Sequence, residues 1–256
     1  MANRRTDERG DAVPGAPRRN AGSVPEPALT VRAASGQTKG VVLLLHGGRS
    51  RSYNRVRAGN LSPARMVPVA RHLQRAGGRH GLAVWSLRNS VRGWNGEDMS
   101  PLQDARWALG RIRQEHPGVP VYLVGHSMGG LTAVCAADDP QVDGVVALAP
   151  WLSGETPAAR VAGRKVLIVH GTEDRLTSPA ESLKFARRAA PETESLQYVS
   201  LKGAGHFMFR RLAVWNALTT GFVLRAFSEK TGFPVPDDPV LGRLIPSSAS
   251  SIPVVL

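Results

Sequence analysis

Short apolar runs that alternate with helical patterns are the feature that most limits how this chain can fold. Five runs are rich in Val, Leu and Ile, namely residues 41–45, 82–87, 119–124, 142–148 and 165–169. Residues 29–34 and 196–201 look like further strands, which gives about seven in all. Continuous apolarity is typical of strands that are covered on both faces, as in a parallel sheet.

Helical patterns fill the segments between these runs. We predict helices over residues 63–76, 101–115, 127–138, 179–190 and 207–227. Ser62 and Ser178 precede two of them, each followed by a proline, and are expected to be their N-caps. Strand–helix alternation favours the α/β class with right-handed crossovers. We therefore expect a single α/β domain, with a mostly parallel central sheet and helices on both faces.

The two ends of the chain differ from this middle part. Residues 1–27 have almost no large apolar side chains, so they cannot bury enough surface to offset the entropy lost on ordering. We expect a disordered tail there. Residues 232–256 carry five of the 19 prolines and a Ser-rich patch, and we expect a tail that wraps on the surface or stays mobile. The domain is then expected to span residues 28–231.

The positive charge of the chain raises the question of a polyanionic partner. The net charge is +13, but 28 of the 33 basic residues are Arg, as GC-rich codons would produce without selection for binding. No basic block is interleaved with aromatic residues, so we expect no nucleic-acid partner. Residues 49–92, here called the arginine segment, nevertheless contain ten Arg and no Asp or Glu. Either this segment favours anionic substrates or anionic surfaces, or its arginines are simply solvated.

Several function classes lack their usual signals in the sequence. No run reaches the roughly 20 apolar residues that span a bilayer, and residues 1–23 lack an apolar stretch for secretion. Cys135 is the single cysteine, which fits a reducing compartment, and we expect a cytoplasmic location. There is neither a Cys cluster nor a dinucleotide fingerprint, so we expect no metal and no cofactor.

The segment from Val121 to Gly130 points to nucleophilic chemistry. A Val-rich strand runs into Gly125-His126-Ser127-Met128-Gly129, which is a G-x-S-x-G pattern, and small residues follow. Strand, tight turn and helix together predict a nucleophile elbow, in which the serine adopts strained backbone angles at a helix N-terminus. Because a serine hydroxyl is a weak nucleophile, the chemistry needs a base and a group that orients that base.

Two later segments supply these groups and make a family resemblance specific. Residues 170–179 (HGTEDRLTSP) are similar to the G-x-x-D-x-x-x-P acid loop of the α/β-hydrolase family, and residues 203–207 (GAGHF) to its G-x-x-H base loop. The resemblance covers roughly residues 29–227. It implies Ser127 as nucleophile, His206 as base and Asp174 as the residue that orients the base, with Glu173 a weaker alternative to Asp174.

The same resemblance suggests where the oxyanion is bound. Strand 41–45 ends in His46-Gly47-Gly48-Arg49, which is similar to the H-G-G oxyanion loop of the family. It implies the Gly48 and Met128 amides as oxyanion donors. Residues 87–96 (LRNSVRGWNG) look like the R-G-x-G loop of the family but have Asn95 in place of the second glycine. We assign that loop no chemistry.

The spacing of the motifs limits the size of a lid. Only 14 residues, 151–164, separate Pro150 from Lys165, so we expect a small lid or none and a rather open site. Trp151, Leu152 and Arg49 are the expected substrate-binding residues.

The leading interpretation is a serine hydrolase that cleaves a small-molecule ester or thioester through an acyl-enzyme. A lysophospholipase, a peptidase or an acyltransferase would use the same three residues. An α/β-hydrolase fold kept as a non-catalytic binding protein is the alternative from another class. The sequence does not specify the physiological substrate, the acyl-chain preference or the oligomeric state.

Overall fold

A computed structural model describes residues 25–57, 59–233 and 254–256 of the chain. The tail expected at residues 1–27 therefore lies almost entirely outside the described residues, as does most of the tail expected at residues 232–256. Within the described residues, no helix is both long enough and apolar enough to cross a membrane.

The elements follow the predicted alternation of strands and helices. The strands are β1 (Ala28–Arg32), β2 (Gly40–Leu45), β3 (Leu82–Arg88), β4 (Val121–His126), β5 (Val142–Leu148), β6 (Lys165–Gly171), β7 (Ser195–Leu201) and β8 (Val254–Val255). The α-helices are α1 (Leu61–Arg65), α2 (Val67–Gly77), α3 (Ser100–Glu115), α4 (Met128–Cys135), α5 (Pro179–Ala189) and α6 (Leu212–Thr231).

One sheet joins all eight described strands in the order β1-β3-β2-β4-β5-β6-β7-β8. Strand β1 pairs antiparallel with β3, and every other pairing is parallel. The carboxyl ends of β2, β4, β6 and β7 therefore meet at one edge of the sheet, where α/β folds bind their ligands. The prediction of a mostly parallel α/β sheet is confirmed.

Hydrophobic layers cover both faces of the sheet, as the continuous apolar runs predicted. In β2, Leu43 packs into one layer and Leu44 into the other, because successive side chains of a strand point to opposite faces. Helices α3, α4 and α5 contribute to the first layer, and α2 and α6 to the second. Between β5 and β6 lies only one short 3₁₀ helix, Ala158–Val161, so this crossover carries no helical lid.

The helix predicted at residues 63–76 is wrong in one respect, because it is two helices that meet at Met66. A proline ring at position 68 would clash with the carbonyl of Ala64 in a continuous helix, so α1 stops and α2 restarts with Pro68 in its first turn. Ser62 is not the N-cap, since α1 begins one residue earlier, after Asn60. Ser178, by contrast, does cap α5, because its side chain accepts a hydrogen bond from the Glu181 amide.

Two further differences concern the ends of elements. Helix α6 begins at Leu212 and not at Phe207, because residues 207–211 remain in the loop that follows β7, and Arg211 has a positive φ of 60°. At the end of the chain, Val254–Val255 pairs in parallel with β7, which adds a strand inside the segment that we assigned to a tail.

Candidate active site

Ser127 occupies a strained turn between β4 and α4. Its φ of 59° and ψ of −120° lie outside the regions that a non-glycine residue favours. The turn is possible because glycines flank it at close range. A Cβ on Gly125 would lie 2.0 Å from the Gly129 carbonyl oxygen, and one on Gly129 would lie 2.2 Å from the Leu45 carbonyl oxygen. The predicted elbow geometry is therefore present, and it places Ser127 at the N-terminus of α4.

His206 and Asp174 reach Ser127 from the loops that follow β7 and β6. The His206 Nε2 atom lies 3.0 Å from Ser127 Oγ, and its Nδ1 atom lies 2.8 Å from Asp174 Oδ2. An Nδ1–H that donates to the carboxylate leaves the Nε2 lone pair facing the serine hydroxyl, as a base requires. Glu173, the weaker alternative to Asp174, is exposed and pairs with Arg210 instead.

Five hydrogen-bond contacts hold the Asp174 carboxylate. Its Oδ1 accepts from the backbone amides of Leu176 and Thr177, at 2.8 and 3.0 Å. Its Oδ2 lies 2.8 Å from the Thr177 hydroxyl and 3.1 Å from His170 Nε2, besides its contact with His206. Burial alone would raise the pKa of Asp174, but the donors from His170, His206 and the two amides hold that pKa far below its usual range.

His170 and Thr177 are the residues near the site whose contacts the sequence did not reveal. His170 contacts two side chains, Asp174 and Ser182, the latter 2.7 Å from His170 Nδ1. Thr177 was assigned no contact at all. The only signal was position, since both residues lie within the HGTEDRLTSP loop, four and three residues from the aspartate.

Two other buried histidines support the loops around Ser127. His126 Nε2 lies 2.8 Å from the His206 carbonyl oxygen, so this ring ties the base loop to the nucleophile turn. His46 Nδ1 lies 2.7 Å from the Gly47 carbonyl oxygen, and its Nε2 accepts from the Asn89 amide at 3.1 Å. Burial lowers the pKa of His126 to about 3 and that of His46 to about 4. Both rings are therefore neutral at pH 7.

The amides of Gly48 and Met128 make no hydrogen bond with any group in the described part of the chain. Gly48 packs so closely on this turn that a Cβ would lie 2.3 Å from Met128 Cε and 2.4 Å from the Arg92 carbonyl oxygen. Both residues line the same cavity as Ser127. Two free amides beside a serine hydroxyl are what an oxyanion hole requires.

Asn95, the departure from the family's R-G-x-G loop, has a structural explanation. Its φ of 65° is left-handed, a conformation that asparagine tolerates better than most residues with a side chain. Its side-chain oxygen also accepts a hydrogen bond from the Ser52 amide at 2.8 Å. This hydrogen bond holds the loop against the segment that follows the oxyanion loop.

A cavity of about 400 Å³ opens in front of Ser127, and we call it the active-site cavity. Trp151 and Arg49 line it, as do Arg65, Leu176 and Phe207. The expectation that Leu152 contacts substrate is wrong. Its side chain is only 3% exposed and packs in the core layer with α3, α4 and α5, because the chain turns inward directly after Trp151.

The described residues include no group of three or more His, Cys, Asp or Glu side chains arranged to hold a metal ion. His170, Asp174 and His206 do meet, but through hydrogen bonds about one shared carboxylate oxygen.

Comparison with known families gives a match over residues 36–166 to the family model described as serine aminopeptidase, S33. The matched residues include the Gly48 loop and the Ser127 turn, whereas Asp174 and His206 lie beyond them. No curated protein matches the chain.

Solved structures with the same fold include three that cover most of this chain. An α/β serine hydrolase homologue from Coxiella burnetii is 19% identical, with a TM-score of 0.56 and coverage of 76% of this chain and 90% of its own. A lidless α/β serine hydrolase from Xanthomonas campestris is 16% identical, with a TM-score of 0.56 and coverage of 78% and 88%. A thermophilic esterase from the planctomycete Thermogutta terrifontis is 18% identical, with a TM-score of 0.59 and coverage of 83% and 92%.

Proposed function

Because this chain belongs to the serine aminopeptidase S33 family of α/β hydrolases, we propose that it is a serine hydrolase that cleaves carboxylic esters through an acyl-enzyme on Ser127. One observation carries the proposal. Ser127 Oγ, His206 and Asp174 form a continuous hydrogen-bonded line, with distances of 3.0 and 2.8 Å, at the wall of an open cavity. The structure of similar fold from the planctomycete is that of an esterase, which supports the proposal.

In the proposed mechanism, Ser127 Oγ attacks the acyl carbonyl while His206 Nε2 takes the hydroxyl proton. The negative charge that develops on the carbonyl oxygen is stabilised by the free amides of Gly48 and Met128. His206 then donates its proton to the leaving alcohol, which departs and leaves an acyl-enzyme. A water molecule, activated by the same imidazole, releases the acid product. Asp174 stays ionised throughout and holds the Nδ1–H of the imidazole.

A peptidase is the second function to weigh, since the family model bears the name of an aminopeptidase. An aminopeptidase must bind the free α-ammonium group of its substrate, which calls for a nearby carboxylate. Among the described residues that line the active-site cavity there is no Asp or Glu, whereas Arg49 and Arg65 are both present. This charge distribution favours an ester substrate over a peptide with a free amino terminus.

The proposal is tested by the hydrolysis of short para-nitrophenyl esters and thioesters, with an aminoacyl para-nitroanilide as the peptidase substrate. We expect ester hydrolysis to begin with a burst of nitrophenol that scales with enzyme concentration, because nitrophenol is a good leaving group and deacylation is then slower than acylation. Ser127→Ala is expected to lower kcat by about ten-thousand-fold or more. Preferred cleavage of the anilide, or ester hydrolysis that survives in Ser127→Ala, would contradict the proposal.

A non-catalytic binding protein makes the opposite prediction for the same assay. It would turn over neither the esters nor the anilide, although the purified protein is folded. Unfolding measured by circular dichroism, with one cooperative transition, is the control that the assayed protein is native.

A further inference from the structure

The arginine segment has no ion pair to an acid among the described residues, whereas several arginines elsewhere in the molecule are paired. Five arginines outside the arginine segment form ion pairs with carboxylates, namely Arg106, Arg111, Arg113, Arg160 and Arg210. Within the described residues, none of the ten arginines of the arginine segment forms such a pair. Arginines outside the segment, such as Arg175 and Arg187, also lack an ion pair in the described residues, so the argument depends on where the unpaired arginines lie and not on their number.

Three of these unpaired arginines line cavities next to Ser127. Arg49 and Arg65 line the active-site cavity, and Arg49 and Arg92 line a neighbouring cavity of about 280 Å³. The two cavities share the residues of the oxyanion loop, from Gly47 to Arg49, and also Ser62. Among the described residues, no carboxylate lines either cavity. An anionic group that entered would therefore meet positive charge without a competing negative one.

Arg65 is the best placed of the three to contact a ligand beside Ser127. Its guanidinium carbon lies 4.6 Å from the ring centroid of Phe207 and 5.4 Å from that of Phe209, so aromatic rings fix its position. Its Nε is buried and has no hydrogen-bond partner in the described part of the chain. The two terminal nitrogens also have no partner among the described residues but are not fully buried, so they are the donors that an anionic ligand in the cavity meets.

The charge and shape of the Arg65 guanidinium suit the binding of a carboxylate. It stays charged at all ordinary pH values and presents a planar set of N–H donors that matches two carboxylate oxygens. A single guanidinium also suits a singly charged group. Phe207 is the residue directly after His206, so the Arg65 contact lies next to the base.

We propose that the active-site cavity selects esters that carry a carboxylate, which the Arg65 guanidinium binds while Ser127 attacks the ester carbonyl. This inference rests on the proposed function, since it assigns the substrate class of the same site. The carboxylate can belong to the acyl chain or to the alcohol, because one cavity serves both.

The test compares matched pairs of esters. The mono-para-nitrophenyl ester of adipic acid carries the carboxylate on the acyl chain, and its neutral counterpart has an isopropyl group in that place. The acetyl ester of para-hydroxybenzoic acid carries it on the alcohol, with its methyl ester as the neutral partner. We expect wild-type kcat/KM to favour the anionic member of at least one pair, and added salt to weaken that preference.

Arg65→Met is the informative variant, because methionine keeps a contact with the aromatic rings but carries no charge. We expect kcat/KM for the preferred anionic ester to fall about tenfold or more, and that for its neutral partner to change less than about threefold. Arg71→Met is the matched control. Arg71 is an exposed arginine of α2 that belongs to the same segment and lines neither cavity. Its replacement is therefore expected to leave kcat/KM for the anionic and the neutral ester as in the wild type.

The outcomes separate this inference from the proposed function. Equal turnover of anionic and neutral esters, or a preference that Arg65→Met leaves unchanged, overturns the inference while ester hydrolysis still stands. If no ester is cleaved, adipate binding to Ser127→Ala by calorimetry decides the matter. Binding that Arg65→Met abolishes supports the anion site alone, and its absence overturns the site as well. Arg65→Lys controls for misfolding, because it keeps the charge and is expected to retain part of the preference.

Discussion

Two charged groups on opposite sides of Ser127 differ in their hydrogen bonding. Both oxygens of the Asp174 carboxylate accept hydrogen bonds. The guanidinium of Arg65, which lines the active-site cavity, has no polar partner in the described residues. The first region, here called the relay, consists of Ser127, His206, Asp174, His170 and Thr177. The second is the arginine-lined wall of the active-site cavity. A charge whose partners are built in can only orient its neighbours, while a charge without a partner remains free to bind a ligand.

This contrast divides the work of the site into two parts. Changes to the relay should lower kcat for every substrate by large factors, because they act on proton transfer and charge development. Changes to the wall should alter the ratio between substrates by smaller factors, because they act on substrate recognition. The predictions below concern the relay, the oxyanion loop and one buried histidine, and the Arg65 experiment above tests the arginine-lined wall.

The largest effect is expected from Asp174→Asn, which keeps the shape of the side chain and removes its charge. The NH2 group of asparagine donates toward His206 Nδ1, so the imidazole carries its proton on Nε2, which is the wrong tautomer for a base. We expect kcat to fall by about ten-thousand-fold for neutral and anionic esters alike. A fall in kcat for only one ester of a matched pair would contradict the division between the two regions.

Gly48→Ala should have the next largest effect. The added Cβ would lie 2.3 Å from Met128 Cε and 2.4 Å from a backbone carbonyl, so the oxyanion loop must shift and its amide with it. We expect kcat to fall by about 100-fold, the order of an oxyanion donor lost. Gly110→Ala in α3 is the matched control, since nothing lies within 4 Å of its added Cβ and activity should not change.

A smaller effect is expected from His170, which we regard as a positioning residue. His170→Leu removes one donor to Asp174. We expect kcat to fall about tenfold, which corresponds to the free energy of a hydrogen bond to a charged group. His170→Gln keeps an N–H donor on the side chain and should recover part of that loss. Because fewer donors then hold the carboxylate, the pH at which activity fails in acid should also move upward. A merely structural role would leave the pH profile where it is.

The last prediction concerns stability and not catalysis. Burial holds the pKa of His46 at about 4, below its unfolded value of 6.5, so the unfolded state binds more protons between these values. Stability should therefore be complete above pH 6.5 and fall as the pH drops toward 4, with roughly 3 kcal/mol due to His46. Urea unfolding at several pH values should show a shallower pH dependence in His46→Asn. An unchanged slope would mean that His46 is not held neutral by the fold.

The parts of this molecule that could be predicted from its sequence are those that local patterns encode. Continuous apolar runs determine strands such as β2 and β4, and Ser127, Asp174 and His206 each lie within a short loop motif of their own. The break at Met66 was also encoded, by Pro68, but the apolar periodicity on both sides of it concealed the break.

The parts that could not be predicted depend on how distant segments pack. Leu152 turns inward because of the path of a loop, and the pairing of Val254–Val255 with β7 depends on where the end of the chain lies. The contacts of His170 and Thr177 with Asp174 follow from the shape of the acid loop, which no residue type specifies by itself.

The central claim is that the alcohol of Ser127 is activated by the relay, and labelling with a fluorophosphonate measures this most directly. Intact-mass spectrometry should show one adduct per chain, and peptide mapping should locate it at Ser127. Labelling should be absent in Ser127→Ala and slowed by orders of magnitude in Asp174→Asn. An adduct on another residue, or no adduct on a folded protein, would contradict the account.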